Sequence, residues 1–141
     1  MKKILAVIVG LGLFSACSQP AEIRISSVAD TMAFDVGSVT VKAGQAVNLT
    51  LKNNATSPVL PHNWVLVKPG TEAAVAERGL GAGESAGYIQ AHDADVLAST
   101  ALARPGTSVE LKFTAPAAGT YPFICTVPGH YMMMKGVLIV M

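Results

Sequence analysis

The chain has 141 residues, of which 51% are hydrophobic and 13% are charged, and its formal net charge is +1. A chain of this length fits one domain, and its apolar content is sufficient to fill a core. Lysines and arginines are scattered singly after the first three residues, so the sequence lacks the basic stripe that marks nucleic-acid-binding proteins. We therefore expect one folded domain with no nucleic-acid partner.

The N-terminus has the pattern of a bacterial targeting segment. Two lysines precede an apolar run over residues 4–14, which is too short to cross a bilayer because a spanning helix needs about 20 residues. The run leads into Ser15-Ala16-Cys17 and resembles a lipoprotein signal, in which the chain is cut before a cysteine that carries the lipid. An ordinary secretory signal cleaved after Ser18 is the alternative.

The lipoprotein interpretation divides the chain into three parts. Residues 1–16 are the signal peptide, residues 17–21 are a lipid-anchored tether, and residues 22–141 are the folded domain. This organisation predicts an exported protein, periplasmic or on the outer cell surface, that is anchored to the membrane through Cys17.

The folded domain contains short runs in which apolar and polar residues alternate, separated by turn residues. Such alternation is typical of half-buried strands, and many short strands with regular turns predict an all-β sandwich or barrel. The expected strands are 22–26, 39–43, 47–51, 62–67, 109–113, 121–125 and 136–141.

One segment between these strands is rich in helix-forming residues instead. It runs from Thr71, a candidate N-cap, to Arg78, and Gly79 follows as a candidate terminating glycine. We expect one short helix here, with a loop as the alternative.

The strand expected over residues 62–67 places His62, Trp64 and Leu66 on one face, because alternate residues of a strand point the same way. Trp64 is the only tryptophan and has aliphatic neighbours, so this face is expected to be the core face. His62 then lies at the inner end of the strand, where an imidazole without a partner would be costly. A bound metal is one way to provide that partner.

A second group of metal-binding side chains lies near the C-terminus, where Cys125, His130 and Met134 fall within ten residues. With His62 they make a set of one thiolate, two imidazoles and one thioether. The sulfur ligands suit Cu(I) and the imidazoles suit Cu(II). Trigonal His2Cys with a weak axial methionine is the arrangement of a type 1, or blue, copper electron-transfer site.

Each of these residues has a simpler explanation when it is taken alone. A buried cysteine often acts as a small hydrophobe, and methionines often fill a core. An exported chain with one unpaired thiol is unusual, however, because oxidising compartments favour disulfides, and a bound metal accounts for it. Zinc is disfavoured because thioether is not among its usual ligands. A dinuclear copper centre is excluded because it would need a second cysteine within residues 126–129, and these residues contain none.

With His62-Asn63-Trp64-Val65-Leu66 upstream, the run from Cys125 to Gly136 resembles the azurin and auracyanin branch of the cupredoxins. The resemblance covers essentially all of the chain after the tether. It implies an eight-stranded Greek-key β-sandwich, the cupredoxin fold, with one short inserted helix and one copper ion bound at one end.

The resemblance also implies the role of individual residues. His62 and His130 become the imidazole ligands, Cys125 the thiolate and Met134 the axial thioether, with Met132 and Met133 as less favoured rivals for the axial position. In this family the carbonyl of the residue before the first histidine can also approach the metal, and that residue is Pro61 here.

Two further residues are implied to support the thiolate. The backbone N–H of Asn63 is expected to donate to the sulfur of Cys125, while the Asn63 side chain ties the two ligand loops together. The N–H of Val127 is expected to be a second donor, which favours the reduced state.

These inferences predict an electron carrier that cycles between Cu(II) and Cu(I), and not an enzyme, because four protein ligands leave no open position for a substrate. A copper-delivery or storage protein of the cell envelope is the alternative, supported by the run Met132–Met134. The resemblance implies a monomer whose redox partners are cytochromes, a quinol-oxidising complex or a photosynthetic reaction centre.

The resemblance finally implies the surface through which electrons leave. The outer edge of His130 is expected to reach solvent inside an apolar docking patch. The residues implied for this patch are Met32, Val59, Leu60, Val127 and Met133.

Overall fold

The structure is a computed structural model that describes residues 19–141. The signal-peptide prediction for residues 1–16 and the lipid-anchor prediction for Cys17 lie outside the described residues. In chain order the strands and the α-helix are β1 (Ala21–Ser26), β2 (Ser38–Val41), β3 (Ala46–Lys52), β4 (Val65–Val67), α1 (Glu72–Ala82), β5 (Val96–Ser99), β6 (Ser108–Thr114), β7 (Gly119–Ile124) and β8 (Lys135–Val140). A single 3-10 turn, Glu84–Ala86, follows α1.

The strands form two sheets, in the orders β1-β3-β6 and β2-β8-β7-β4-β5. β1 pairs with β3 and β2 with β8 in parallel, whereas the other pairings are antiparallel. Consecutive strands such as β1, β2 and β3 therefore alternate between the sheets, as the crossing connections of a Greek key require. The predicted eight-stranded sandwich with one short helix is confirmed.

The main core lies between the two sheets. Ile25, Leu49 and Leu51 of the smaller sheet pack with Phe123 of the larger sheet and with Trp64, which directly precedes β4, and all five are at most 1% exposed. Each such side chain contributes roughly 1.5–3 kcal/mol when it is fully buried. The alternation that predicted β3 is the pattern by which every second residue enters this core.

The larger sheet is also covered on its outer face at β4. Val65 and Val67 pack against Val75 and Ala76 of α1, so all three residues of β4 are buried. Trp64 and Leu66 belong to the core between the sheets, as predicted from the alternation.

Two of the predicted element boundaries are wrong by three residues or more. The strand expected from His62 begins at Val65, and His62 makes only an isolated bridge with Ala103. The helix expected to end at Arg78 continues through Gly79 to Ala82. Gly79 lies inside the helix. A Cβ at this position would overlap the backbone carbonyl of Tyr88, so this glycine permits a close approach instead of ending the helix.

β5 has no counterpart among the predicted strands. Its four residues, Val96–Ser99, show no clear alternation of burial, and they pair with β4 at the edge of the larger sheet. The preceding loop is attached to α1 by Arg78, which donates to both Asp93 and Asp95. These long-range contacts, and not a local pattern, place β5.

The two ends of the sandwich are distinct. At one end, the backbone of His62 exchanges two hydrogen bonds with that of Ala103. At the other, the Gln45 side chain donates to the carbonyl of Gln19, and the N–H of Ala43 donates to the carbonyl of Met141. Gln19 precedes β1, which runs for six residues, or about 20 Å, toward the end that holds His62. Gln19 therefore lies far from His62. Within residues 19–141 we find no helix that is long and apolar enough to cross a membrane.

Candidate metal centre

The loop between β7 and β8 carries three of the four predicted ligands. The N–H of Cys125 donates to the carbonyl of Met134 at 3.0 Å, which closes the loop. Within it, the N–H of His130 donates to Val127 at 3.0 Å and the N–H of Met134 donates to His130 at 2.8 Å. Gly129 has a φ of 82°, a conformation that favours glycine in such a turn. The loop thus brings Cys125, His130 and Met134 together.

His62 reaches the same place from the segment before β4, the strand that pairs with β7 in the larger sheet. Its Nδ1 lies 3.9 Å from Sγ of Cys125, and Nδ1 of His130 lies 3.6 Å from that sulfur. One ligand atom from each of the three residues lies within 4.8 Å of the others. Metal bonds of about 2.0 Å to imidazole and 2.3 Å to thiolate separate nitrogen from sulfur by about 3.7 Å in a trigonal site. The three residues are therefore spaced to hold one metal ion.

All of these side chains are shielded from water. Cys125, His62 and Met134 are fully buried, and His130 is 5% exposed. Met134 packs in one cluster with Cys125 and Val127, which places the thioether residue beside the thiol residue. A site so enclosed excludes solvent from the metal position, and only His130 reaches the surface.

The protonation states of the metal-free site follow from this burial. Burial, with a smaller effect of neighbouring His130, lowers the pKa of His62 to about 4. Burial also lowers the pKa of His130. Both rings are then neutral at pH 7 and offer a lone pair to a metal. Burial raises the pKa of the Cys125 thiol to about 12, so the thiol keeps its proton until a metal displaces it.

Two backbone groups oppose the effect of burial on the thiol. The N–H groups of Asn63 and Val127 donate to the sulfur of Cys125, which lowers its pKa. Hydrogen bonds to the charged form of a group favour that form, so both donors stabilise a thiolate. A proline at position 127 would have no N–H to donate.

The side chain of Asn63 joins three segments around the site. Its Oδ1 accepts from the N–H of Thr126 at 2.8 Å, while its Nδ2 donates to Oγ1 of Thr126 at 2.7 Å and to the carbonyl of Gly87 at 2.9 Å. Asn63 is fully buried and Thr126 is 1% exposed. The pair holds the residue after Cys125 against the residue after His62. The role of Thr126 was not predicted from the sequence, because a threonine beside a cysteine forms no distinctive sequence pattern.

The helix supports this bridge from outside. Gly79 of α1 lies against the backbone of Tyr88, and the next contact of a Cβ built at Gly79 would be Cβ of Thr126 at 3.6 Å. Gly87, which accepts from Asn63, directly precedes Tyr88. The inserted helix therefore packs on both the residue that follows Cys125 and the loop that holds Asn63.

Apolar side chains reach the surface in segments that lie next to the ligand residues in the chain or pack against them. Val59 is 78% exposed, Met133 69% and Met132 67%, and Met32 and Leu60 are half-buried. Met32 packs against the Cys125 cluster, and Val59 and Leu60 lead into the segment that carries His62. We call these five residues the rim.

The expected docking patch needs one correction. Val127 is only 7% exposed, so it lies beneath the rim instead of forming part of it. Its N–H is directed to the Cys125 sulfur and its side chain packs beside Met134, which accounts for its burial. Met132, which was expected only as a rival axial ligand, contributes exposed surface in its place.

Known proteins that match this chain identify the metal of the centre. The family model described as copper binding proteins of the plastocyanin/azurin family matches residues 21–141. This chain belongs to that family. Membership makes copper the metal of the His62, Cys125 and His130 cluster, and one ion fits the spacing of the donor atoms.

Individual relatives and solved structures match over most of the chain. Auracyanin-A of Chloroflexus aurantiacus is 50% identical over 125 residues, which cover 87% of this chain and 76% of that protein. Azurin of Bordetella pertussis is 37% identical over 142 residues, covering 94% and 95% of the two chains. The structure of auracyanin A, described as a "blue" copper protein, has a TM-score of 0.82 and covers 87% of this chain and all of that one. The dithionite-reduced auracyanin of Roseiflexus castenholzii has a TM-score of 0.80 at 40% identity, covering 86% and 97%.

The third histidine of this copper protein is not part of the centre. His92 is exposed, in a loop where its φ is 58°, and it is absent from the His62, Cys125 and His130 cluster.

Proposed function

We propose that this copper protein is a type 1, or blue, electron carrier in which His62, Cys125, His130 and Met134 hold one ion that cycles between Cu(II) and Cu(I). The observation that carries the proposal is the trigonal spacing of one sulfur and two imidazole nitrogens inside a buried pocket. The copper ion supplies the redox chemistry by taking up and releasing one electron. Family membership supports the same function.

The contribution of the protein is to keep the ligands in one geometry in both oxidation states. The Asn63 bridge and the backbone bonds within the ligand loop hold the donors in place, so little reorganisation accompanies electron transfer. The N–H groups of Asn63 and Val127 stabilise the thiolate charge, which favours the reduced form. His130, which alone among the proposed ligands is slightly exposed, is the proposed route for the electron.

Met134 is proposed as the axial ligand because it is buried beside Cys125, whereas Met132 and Met133 are exposed. We expect Met134→Gln to keep a coloured site and lower its potential by at least about 60 mV, a tenfold change in a one-electron equilibrium. A harder oxygen ligand favours Cu(II) over Cu(I). Cyclic voltammetry of the copper-loaded protein measures the shift.

Met133→Gln is the matched control for this axial assignment, because the same change at an exposed position leaves the ligand set intact. We expect its potential to stay within experimental error of the wild type. A shift at Met133 without one at Met134 would show that the wrong methionine has been assigned.

The carbonyl of Pro61 remains a proposed weak fifth donor; this residue is buried next to His62.

The alternative, copper delivery or storage, fits the site less well. A protein that hands copper on needs exchangeable ligands, whereas Cys125, His62 and Met134 are fully buried. An enzymatic role is also disfavoured, because four protein ligands leave no position where a substrate could bind the metal.

We propose that partner redox proteins dock on the rim around His130. Cytochromes, a quinol-oxidising complex or a reaction centre are the proposed partners, and the protein is proposed to act as a monomer. An exposed apolar patch on a monomer marks an interaction site. The net charge of +1 provides little long-range steering, so encounter rates are expected to depend weakly on salt.

A charge in the rim tests this surface. We expect Met133→Lys to slow electron exchange with a partner protein about tenfold, which corresponds to roughly 1.4 kcal/mol, because the lysine must be desolvated on docking. The copper absorption band is expected to stay unchanged. Met141→Lys, at the far end of β8 and 70% exposed, is the control and is expected to react at the wild-type rate. Rates are measured by stopped flow. A Met133→Lys rate equal to that of the wild type and the control would place docking on another face.

We propose that the protein is exported as a lipoprotein and anchored through Cys17. The position of Gln19 at the end of the sandwich away from the copper centre supports this arrangement, because an anchor there leaves the rim free for partners. One acyl chain binds membranes only marginally, whereas two or more bind firmly. We expect Cys17→Ser to move the protein from the membrane to the soluble fraction, as measured by immunoblotting of fractions. Wild-type protein already in the soluble fraction would contradict the anchor.

A further inference from the structure

The copper centre is enclosed, so the metal needs a route into it. Cys125, His62 and Met134 have no exposed surface, and His130 has 5%. The outer edge of His130 is therefore the place where the ligand set meets solvent. An ion that loads the folded protein has to pass the rim at this edge.

Two of the three rim methionines are exposed at that edge, and each carries a soft thioether. Met132 and Met133 are 67% and 69% exposed, although methionine usually fills gaps in a core. They directly follow His130 and Tyr131 in the turn, where the N–H of Met133 donates to the carbonyl of His130 at 3.0 Å. The chain thus continues from two exposed thioethers to the buried Met134 within one turn.

The chemistry of these side chains selects a particular form of the metal. Thioether is a soft ligand and binds Cu(I), whereas carboxylate and carbonyl oxygens suit harder cations. Met32, the third rim methionine, is half-buried, and the remaining rim residues, Val59 and Leu60, carry no metal-binding group. Methionine is also flexible, so a thioether that has taken an ion can turn toward His130 without moving the backbone.

We propose that Met132 and Met133 form a transient capture site for Cu(I), from which the ion passes to His130 and then to Cys125. The inference rests on the copper centre of the proposed function and adds the way in which it is loaded. Copper remains Cu(I) throughout, so no oxidant or reductant is required. The thioethers carry no proton, and the one proton that leaves is that of the Cys125 thiol, which passes to solvent as the sulfur binds the metal.

The test compares metal uptake by the full-length, metal-free protein and by Met132→Leu/Met133→Leu. Leucine keeps the apolar surface and similar volume but removes both sulfur atoms. Met141→Leu is the matched control, since this methionine is 70% exposed and lies one strand length, about 20 Å, from the start of β8. Copper is supplied without oxygen as the Cu(I) complex of a weak coloured chelator, and the loss of its colour gives the rate.

We expect Cu(I) uptake to be at least tenfold slower in the double variant than in the wild type or the Met141 control. All three proteins are expected to reach one copper ion per chain at equilibrium, because no ligand of the centre has changed. Uptake of Cu(II), measured from the growth of the blue band, is expected to be equal in all three.

Two results would overturn the capture site while leaving the copper centre intact. Equal Cu(I) uptake rates in the wild type and the double variant would show that the thioethers are not used. Equal slowing of Cu(I) and Cu(II) would show that the leucines only obstruct the rim. Failure of the wild type to bind one copper ion would instead overturn the centre itself, and the capture site with it.

Discussion

Replacing Cys125 with serine is expected to abolish the intense Cu(II)–thiolate absorption of the loaded protein and leave the β-sandwich folded. The band requires the sulfur. The fold does not, because the N–H groups of Asn63 and Val127, which donate to the sulfur in the wild type, can donate to the serine hydroxyl instead. A buried hydroxyl with these partners costs at most about 1–3 kcal/mol. Visible absorption and circular dichroism measure the two effects.

The other cysteine of the chain provides the control for this substitution. Cys17→Ser is expected to keep the full absorption band, since position 17 precedes the domain that holds the centre. A blue band that persists in Cys125→Ser would refute the proposed ligand set, and with it the electron-carrier function. Loss of the band together with the fold would mean that the thiol is needed for packing.

Asn63→Ala is expected to lower the free energy of unfolding of the metal-free protein by about 2–5 kcal/mol. The alanine leaves the N–H of Thr126 and the carbonyl of Gly87 without their partner. An unsatisfied buried group costs about 1–3 kcal/mol. Urea denaturation, monitored by circular dichroism, gives the difference.

The same variant tests whether the bridge matters for the metal. Without it, the segments that carry His62 and Cys125 lose their direct side-chain link, so we expect copper to be lost to a chelator at least tenfold faster. Asn48→Ala is the matched control: Asn48 is half-buried on β3 and its side chain donates only to Glu22, in a hydrogen bond that is exposed to solvent, so the stability change is expected to stay within about 0.5 kcal/mol. Equal stability of the two variants would show that the Asn63 bridge is not a structural link.

Cys125 and Asn63 have different roles at the copper centre. Cys125 is proposed to make the metal bond, whereas Asn63 holds in place the residues on either side of it. The bridge extends outward through Gly87 to the backbone beside Gly79 of α1. The inserted helix is thus connected to the copper centre, and the outer layer of the sandwich supports the function of the site.

The sequence by itself determined the kind of site and most of the fold. Cys125, His130 and Met134 lie within one loop, so their spacing brings them together with little dependence on the rest of the fold. Strands such as β3 were predictable because one face is buried and the other is not, which leaves an alternating pattern. Trp64 was placed in the core for the same reason.

Only the tertiary structure decided how distant segments meet. His62 and Cys125 are 63 residues apart, and their contact depends on how β4 and β7 pair. Thr126, the interior position of Gly79 and the edge strand β5 were not predictable, because each depends on a neighbour far along the chain. The exposure of Met132 and Met133 and the burial of Val127 were decided in the same way. Local sequence patterns report which residues prefer burial, but the packing of the whole chain decides which of them face water.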